Sequence, residues 1–170
     1  MPLTRRSALT GGMALLVSAA YYPRRTRAAA APAAVAALDK SQLVYLSPIV
    51  SGGRDSRCHA EVWFVHHEGA VFVCTQASAW RAEALRRGFT RARLWIGEFG
   101  VWTRADERYL SAPYLEVGGR QIDDPAVHAV VLPVLGRKYA DEWDRWGPRF
   151  RDGLADGSRV LLRYDYDGQG

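Results

Sequence analysis

The sequence has 170 residues, a formal charge of +5 and a pI near 9.5, but the charge is unevenly placed. Five of the 23 basic residues, Arg5, Arg6, Arg24, Arg25 and Arg27, lie near the start with no acid among them, which leaves 18 basic against 18 acidic residues in the rest. A formally neutral remainder gives no support for nucleic-acid binding, which would need a basic footprint on the domain itself, and about 135 residues suffice for one buried domain but not for two of ordinary size.

At the start of the chain, TRRSAL (Thr4 to Leu9) is followed by the apolar run ALTGGMALLVSAA and by small-x-small cleavage candidates between Ala30 and Ala36. This resembles a twin-arginine export signal. The run is too short for a comfortable span of ~20 residues, so cleavage is expected, with no stable membrane span afterwards. Residues 1–37 are read as export signal and linker, with the linker from about Ala28 to Ala37, and residues 38–170 as the domain. The expected location is exported, periplasmic or extracellular.

LVYLSPIV (Leu43 to Val50) predicts a strand and SGGRDS the turn after it. CHAEVWFVHH and AVFVCT, rich in valine and aromatics, predict a hairpin around a three-residue loop, His67-Glu68-Gly69, with glycine in the left-handed position. That register sets Cys74 opposite Val62, with Ala60, Val62, Phe64, Phe72 and Cys74 on one face and Trp63, Val65, Val71, Val73 and Thr75 on the other. Two apolar faces suit a barrel wall covered outside by a helix or a second subunit. A helix follows from about Ser78 to Arg87, closed by Gly88. RARLWIGEF and YLSAPYLEV (Tyr109 to Val117) predict two more strands about the polar turn RADER. Asp124 then caps, and Pro125 opens, a helix kinked or interrupted at Pro133 and Gly136, before a second helical piece and the closing strand SRVLLRYDY. Strands first, helices late and one returning strand indicate a mainly β fold: an antiparallel barrel with flanking helices.

Cys58 and Cys74 lie too far apart in this register for a disulfide, four strand residues being roughly 13 Å. Two buried thiols are expected. No CxxC appears, and the adjacent His66 and His67 point to opposite faces of a strand, so no metal site is expected. His59 shares a strand face with Trp63 and reads either as a satisfied barrel histidine or as a proton donor beside a ligand. Tyr139, Trp143 and Trp146 at helical spacing read as core or dimer packing.

The residue that stands out is Arg81. With Ser78 as N-cap it occupies the third helical position, where a capping box wants Glu or Gln and the macrodipole disfavours a cation by up to ~1 kcal/mol. Ala84 and Leu85, three and four residues on, offer no relieving acid. An external anion, met by Arg81 and the hydroxyls of Thr75 and Ser78, would reverse that balance. An ordinary surface arginine explains the position equally well. Arg86, Arg87, Arg91 and Arg93 form either a solvated face or an extension of the anion site.

The stretch VWFVHHEGAVFVCTQASAWRAEALRRGFTRARLWIG resembles the FMN- or deazaflavin-binding split barrels of the pyridoxamine 5'-phosphate oxidase-like superfamily. RKYADEW and VLLRYDY stand where such proteins place a helix and a closing strand. The resemblance implies a split β-barrel of the FMN-binding type, working as a homodimer with FMN or a deazaflavin coenzyme between protomers. It implies that Thr75, Ser78 and Arg81 contact the phosphate of the cofactor tail, that Trp80 lies beside it, and that Val62 and Trp63 present their backbone to the ring. Arg57 matches a basic position. Relatives in the deazaflavin branch often carry proline before VWF, where this chain has Glu61. Related barrels also bind haem.

No GxSxG, Walker loop or HExxH motif is present, and no catalytic residue is assigned. The expected function is an exported flavin- or deazaflavin-dependent oxidoreductase that passes hydride or electrons to a small organic acceptor, the ring carrying the chemistry. The alternatives are a non-enzymatic carrier of flavin, deazaflavin or haem, and a secreted barrel without cofactor.

Overall fold

A computed structural model describes residues 31–166, so the stretch read as an export signal lies outside the described residues up to residue 30, while the cleavage candidates from Ala31 to Ala36 fall within the first helix. The first element, α1 (Ala31–Leu38), occupies most of the stretch read as linker. Alanine is the strongest helix former, and Ala34 and Leu38, four apart on one face, are fully buried in the barrel core. The helix therefore belongs to the folded unit.

Eight strands form one antiparallel sheet: β1 (Val44–Val50), β2 (Arg54–Asp55), β3 (Ala60–Val62), β4 (Val65–His67), β5 (Ala70–Gln76), β6 (Arg91–Ile96), β7 (Tyr114–Ile122) and β8 (Arg159–Tyr166). Their order is β2-β1-β6-β7-β8-β5-β4, with β3 paired to β1. The stretch from β3 to β4 thus pairs with β1 through its first half and with β5 through its second, closing the sheet into a barrel. Three further helices complete the fold: α2 (Trp80–Arg86), α3 (Pro125–Lys138) and α4 (Ala140–Asp156). Asp124 caps α3 by accepting from the Ala126 amide at 2.8 Å, and the helix continues through Pro133.

The predicted hairpin exists, with a shifted register. Val65 pairs with Phe72 and His67 with Ala70, so the turn has two residues, Glu68 and Gly69, both left-handed at φ 47° and 71°. A slip of one residue exchanges faces between partners. Val62 and Phe64 share the interior with Val71 and Val73, while Trp63 and Val65 join Phe72 and Cys74 outside. Both faces are apolar for the reason expected: the interior is the barrel core, and the outside packs on α3 and α4 through Val131, Leu135, Tyr139 and Phe150. No disulfide forms; Cys74 is buried, but Cys58 is exposed rather than buried.

β7 also departs from its prediction. It starts at Tyr114 and runs through two glycines to Ile122, while Arg108–Ser111 forms a 3-10 turn instead of strand. That turn and Trp102–Arg104 lie over the outer face of β1 and β6, where Tyr45, Trp95 and Tyr109 form a separate aromatic cluster.

Candidate functional site

The corner where β5 gives way to α2 gathers most of the residues singled out in the sequence. The Ala77 amide bonds the Ser158 carbonyl at 2.9 Å, holding the chain beside β8 until it turns, and the Ala79 amide bonds back to the Gln76 carbonyl at 3.0 Å. The helix begins at Trp80 with Ala79 as its cap and no side-chain cap bond, one residue later than the sequence suggests. Arg81 is thus second rather than third in the helix, and Ser78 is an exposed turn residue.

Arg81 folds back on the strand it follows. Its Nε donates to Thr75 Oγ1 at 2.8 Å, and Thr75 is only 2 % exposed. The guanidinium is half-buried, and among the described residues its two terminal nitrogens have no hydrogen-bond partner. Burial pulls the Arg81 pKa below its ordinary value, offset in part by Tyr164, Cys58 and Glu61. Such a cation bears a desolvation cost that one neutral hydrogen bond does not cover. Tyr164, on the interior face of β8, is buried and its pKa is raised by that burial, with Arg81 acting in the opposite direction.

Trp80 braces the other wall. Its Nε1 donates to Ser56 Oγ at 2.8 Å, and the same oxygen accepts from the Cys58 amide at 2.9 Å. The loop between β2 and β3 is thereby pinned against α2, bringing Cys58 into electrostatic reach of Arg81. Arg57, in that loop, is exposed. Glu61 Oε2 accepts from the Trp102 amide at 3.1 Å, which ties it to the neighbouring turn. Thr75 and Arg81 therefore meet, Trp80 beside them in the chain turns to Ser56, and Ser78 is exposed at the adjoining turn.

Two residues named in the sequence present different faces. Val62 points into the core at 7 % exposure. Trp63 lies flat on Tyr139, centroids 4.3 Å apart and planes 4° from parallel, with Trp146 and Phe150 at its edges. Its ring is committed to the α3–α4 layer, so only backbone is left to face a ligand. His59 is not grouped with Trp63. It lies between Trp95 and Trp102, with Nδ1 at 2.9 Å from the Tyr109 hydroxyl, and no partner reaches its Nε2 among the described residues. Arg86 and Arg87 pair with Glu83, while Arg91 and Arg93 pair with Glu116 and Arg93 also with Asp55. Each of the four is ion-paired, which favours the solvated face over an extended anion site.

Sequence reading missed Ser56, Cys58 and Tyr164. The period-two pattern of β8 assigns Tyr164 to the interior, but nothing local connects it to Arg81. An open groove of about 570 Å³ between α3 and α4, lined by Leu132, Pro133, Trp143, Pro148 and Arg151, lies on the opposite layer from this corner. The unpartnered donors are at Arg81, and the chemistry of the site follows them rather than this groove.

No family model matches the chain, and no curated protein matches it by sequence. Solved structures do match in shape. HutZ, the haem storage protein of Vibrio cholerae, superposes with a TM-score of 0.55 at 16% identity over 82% of this chain and 90% of its own. An FAD-binding protein of Mesorhizobium loti gives 0.53 at 12% identity, covering 81% and 90%. A candidate pyridoxamine 5'-phosphate oxidase of Listeria innocua gives 0.51 at 13% identity, covering 81% and 93%. At such identities the likeness concerns architecture alone: the chain folds as an antiparallel split barrel of the pyridoxamine 5'-phosphate oxidase-like type.

Proposed function

We propose that the chain binds a phosphate-bearing flavin, FMN or a deazaflavin coenzyme, and acts as an oxidoreductase toward a small organic acceptor. The observation that carries this reading is Arg81: a half-buried guanidinium with a single neutral partner and two terminal nitrogens open. The groups around it suit an anion. Thr75 Oγ1 accepts from Arg81 and keeps its own proton to donate, and the exposed Ser78 adds a second hydroxyl. Arg81, Thr75 and Ser78 would hold the phosphate, Trp80 would wall it, and the backbone at Val62 and Trp63 would face the ring. When bound, the flavin supplies the hydride or electron transfer, and the chain's residues bind, orient and shield it.

The reading includes a homodimer, with the second copy covering the ring, and export of the folded protein through the leader. Size-exclusion chromatography with light scattering tests the first. Loss of export on replacing Arg5 and Arg6 with lysine tests the second.

A haem-carrying function is the second reading, favoured by the likeness to HutZ and by His59, whose ring is clamped while Nε2 stays open. One experiment separates the readings. The purified protein is mixed with FMN, deazaflavin or haem, passed through gel filtration and scanned for retained absorbance. Flavin bands that persist in the native protein and vanish in Arg81→Gln support the first reading. Haem bands that survive Arg81→Gln but shift in His59→Ala support the second.

A further inference from the structure

A second chemical feature lies away from the Arg81 corner, at the end of α3. The 170 residues contain two lysines, Lys40 and Lys138, against 21 arginines. Lys40 is exposed and Lys138 is half-buried. The Lys138 Nζ stands 3.4 Å above the centroid of the fully buried Phe64 ring and 5.7 Å from that of Tyr139. Among the described residues no hydrogen bond or ion pair reaches this nitrogen, so its protein surroundings are aromatic faces that leave its donors without an acceptor from the chain.

The acids nearest in electrostatic terms are already engaged. Asp39, in the turn after α1, contacts His66 Nδ1 at 3.1 Å, and Glu98, after β6, accepts from the Gln42 amide at 2.9 Å. The Tyr139 hydroxyl accepts from the Phe64 amide and donates toward the Phe64 and Gln42 carbonyls, so it gives Lys138 nothing. Phe64's π face favours the ammonium. Burial works the other way and prevails, bringing the Lys138 pKa down to about 8 with Asp39 and Glu98 opposing. A partly desolvated amine on an aromatic floor, poor in acceptors, is the arrangement that turns lysine from a surface charge into a nucleophile.

We propose that Lys138 is a reactive-amine site that condenses with neutral carbonyl compounds, its flanking carboxylates at Asp39 and Glu98 disfavouring anionic ones. In the step, the nitrogen lone pair of the neutral amine attacks the carbonyl carbon and one proton moves from nitrogen to oxygen; the nitrogen lone pair then forms the C=N bond as the C–O bond breaks, and the hydroxyl leaves as water with the second amine proton. The product is a C=N bond and one water, with no change in oxidation state.

Competitive labelling of the full chain tests this. The native protein is treated with benzaldehyde and cyanoborohydride near neutral pH, digested, and the modified fraction at Lys138 compared with Lys40; a urea-unfolded sample gives the reference ratio. Free-amine fraction rises and intrinsic nucleophilicity falls with a lowered pKa, so Lys138 should label at least about tenfold faster than Lys40 in the native protein. Its rate should level off above about pH 8, while that of a free lysine derivative in the same solution keeps rising. With 4-formylbenzoate in place of benzaldehyde, the advantage of Lys138 should shrink. Equal or slower labelling of Lys138 than of Lys40, or a Lys138 rate that climbs in parallel with the free lysine derivative past pH 8, overturns the proposal. An advantage that grows with the anionic aldehyde overturns the selectivity.

Discussion

Gly119 and Tyr164 are partners across the β7–β8 ladder, and the tyrosine ring fills the space that a side chain on residue 119 would need. A Cβ there would stand 2.5 Å from Tyr164 Cε1 and 3.1 Å from Leu85 Cδ2. Both neighbours are held: Tyr164 is 1 % exposed, and Leu85 packs on the same core. Gly119→Ala should therefore cost about 1–3 kcal/mol, the range for overpacking a filled interior. Denaturant unfolding at fixed m-value measures it. Gly118→Ala, where nothing lies within 4 Å, is the matched control and should lose less.

Arg81 should show a conflict between stability and binding. Arg81→Met removes a cation that burial disfavours and keeps an apolar stem, so the free protein should unfold at the same denaturant concentration as wild type or higher. Inorganic phosphate should raise the melting temperature of wild type and leave Arg81→Met unmoved, by the mass-action linkage of a ligand that binds the folded form. A variant both destabilised and still phosphate-responsive would contradict this role.

Tyr139→Phe should be costly despite keeping the ring. The hydroxyl accepts from the Phe64 amide at 2.8 Å and donates toward the carbonyls of Phe64 and Gln42, also 2.8 Å away. Phe64 lies in the gap between β3 and β4, so the tyrosine supplies a partner there. Leaving that buried amide without one should cost about 1–3 kcal/mol. Fast amide exchange at Phe64 in the variant would locate the effect.

The thiols should separate by pH. Burial pushes the Cys74 thiol up to about 12, so near pH 8 a disulfide reagent should titrate Cys58 alone and reach Cys74 only after unfolding. The sign for stability follows from the raised value. The native state holds the Cys74 proton longer than the unfolded chain, so its contribution is complete below the ordinary value near 9.0 and lost as pH climbs toward about 12. Cys74→Ala should flatten that part of the alkaline stability profile.

The barrel is readable from valine- and aromatic-rich runs because its longer strands are buried on at least one face, and burial leaves a pattern. Its register is not. The sequence favours glycine alone as left-handed in the hairpin, whereas Glu68 also adopts φ 47°, a conformation a glutamate gives no reason to expect. α1 hides because its alanines continue the composition of the stretch before it, and only burial of Ala34 and Leu38 shows that this helix packs on the barrel core. At the site, Thr75 and Arg81 are legible as neighbours along one strand-to-helix corner. Tyr164, Cys58 and Ser56 come from other strands and loops, and only the closed barrel brings them near. The aromatic bed of Trp63 is a long-range fact of the same kind, set by helices far downstream.

The placement of β8 bears on how the protein is made. This strand sits between β7 and β5, in the middle of the sheet rather than at its margin. A ribosome that has delivered β1 to β7 has made an open sheet whose central member is still in the exit tunnel, and closure waits for residue 166. Until then the nascent segment exposes sticky edges to any chaperone nearby. Truncation within β8 should therefore yield aggregates rather than a smaller barrel.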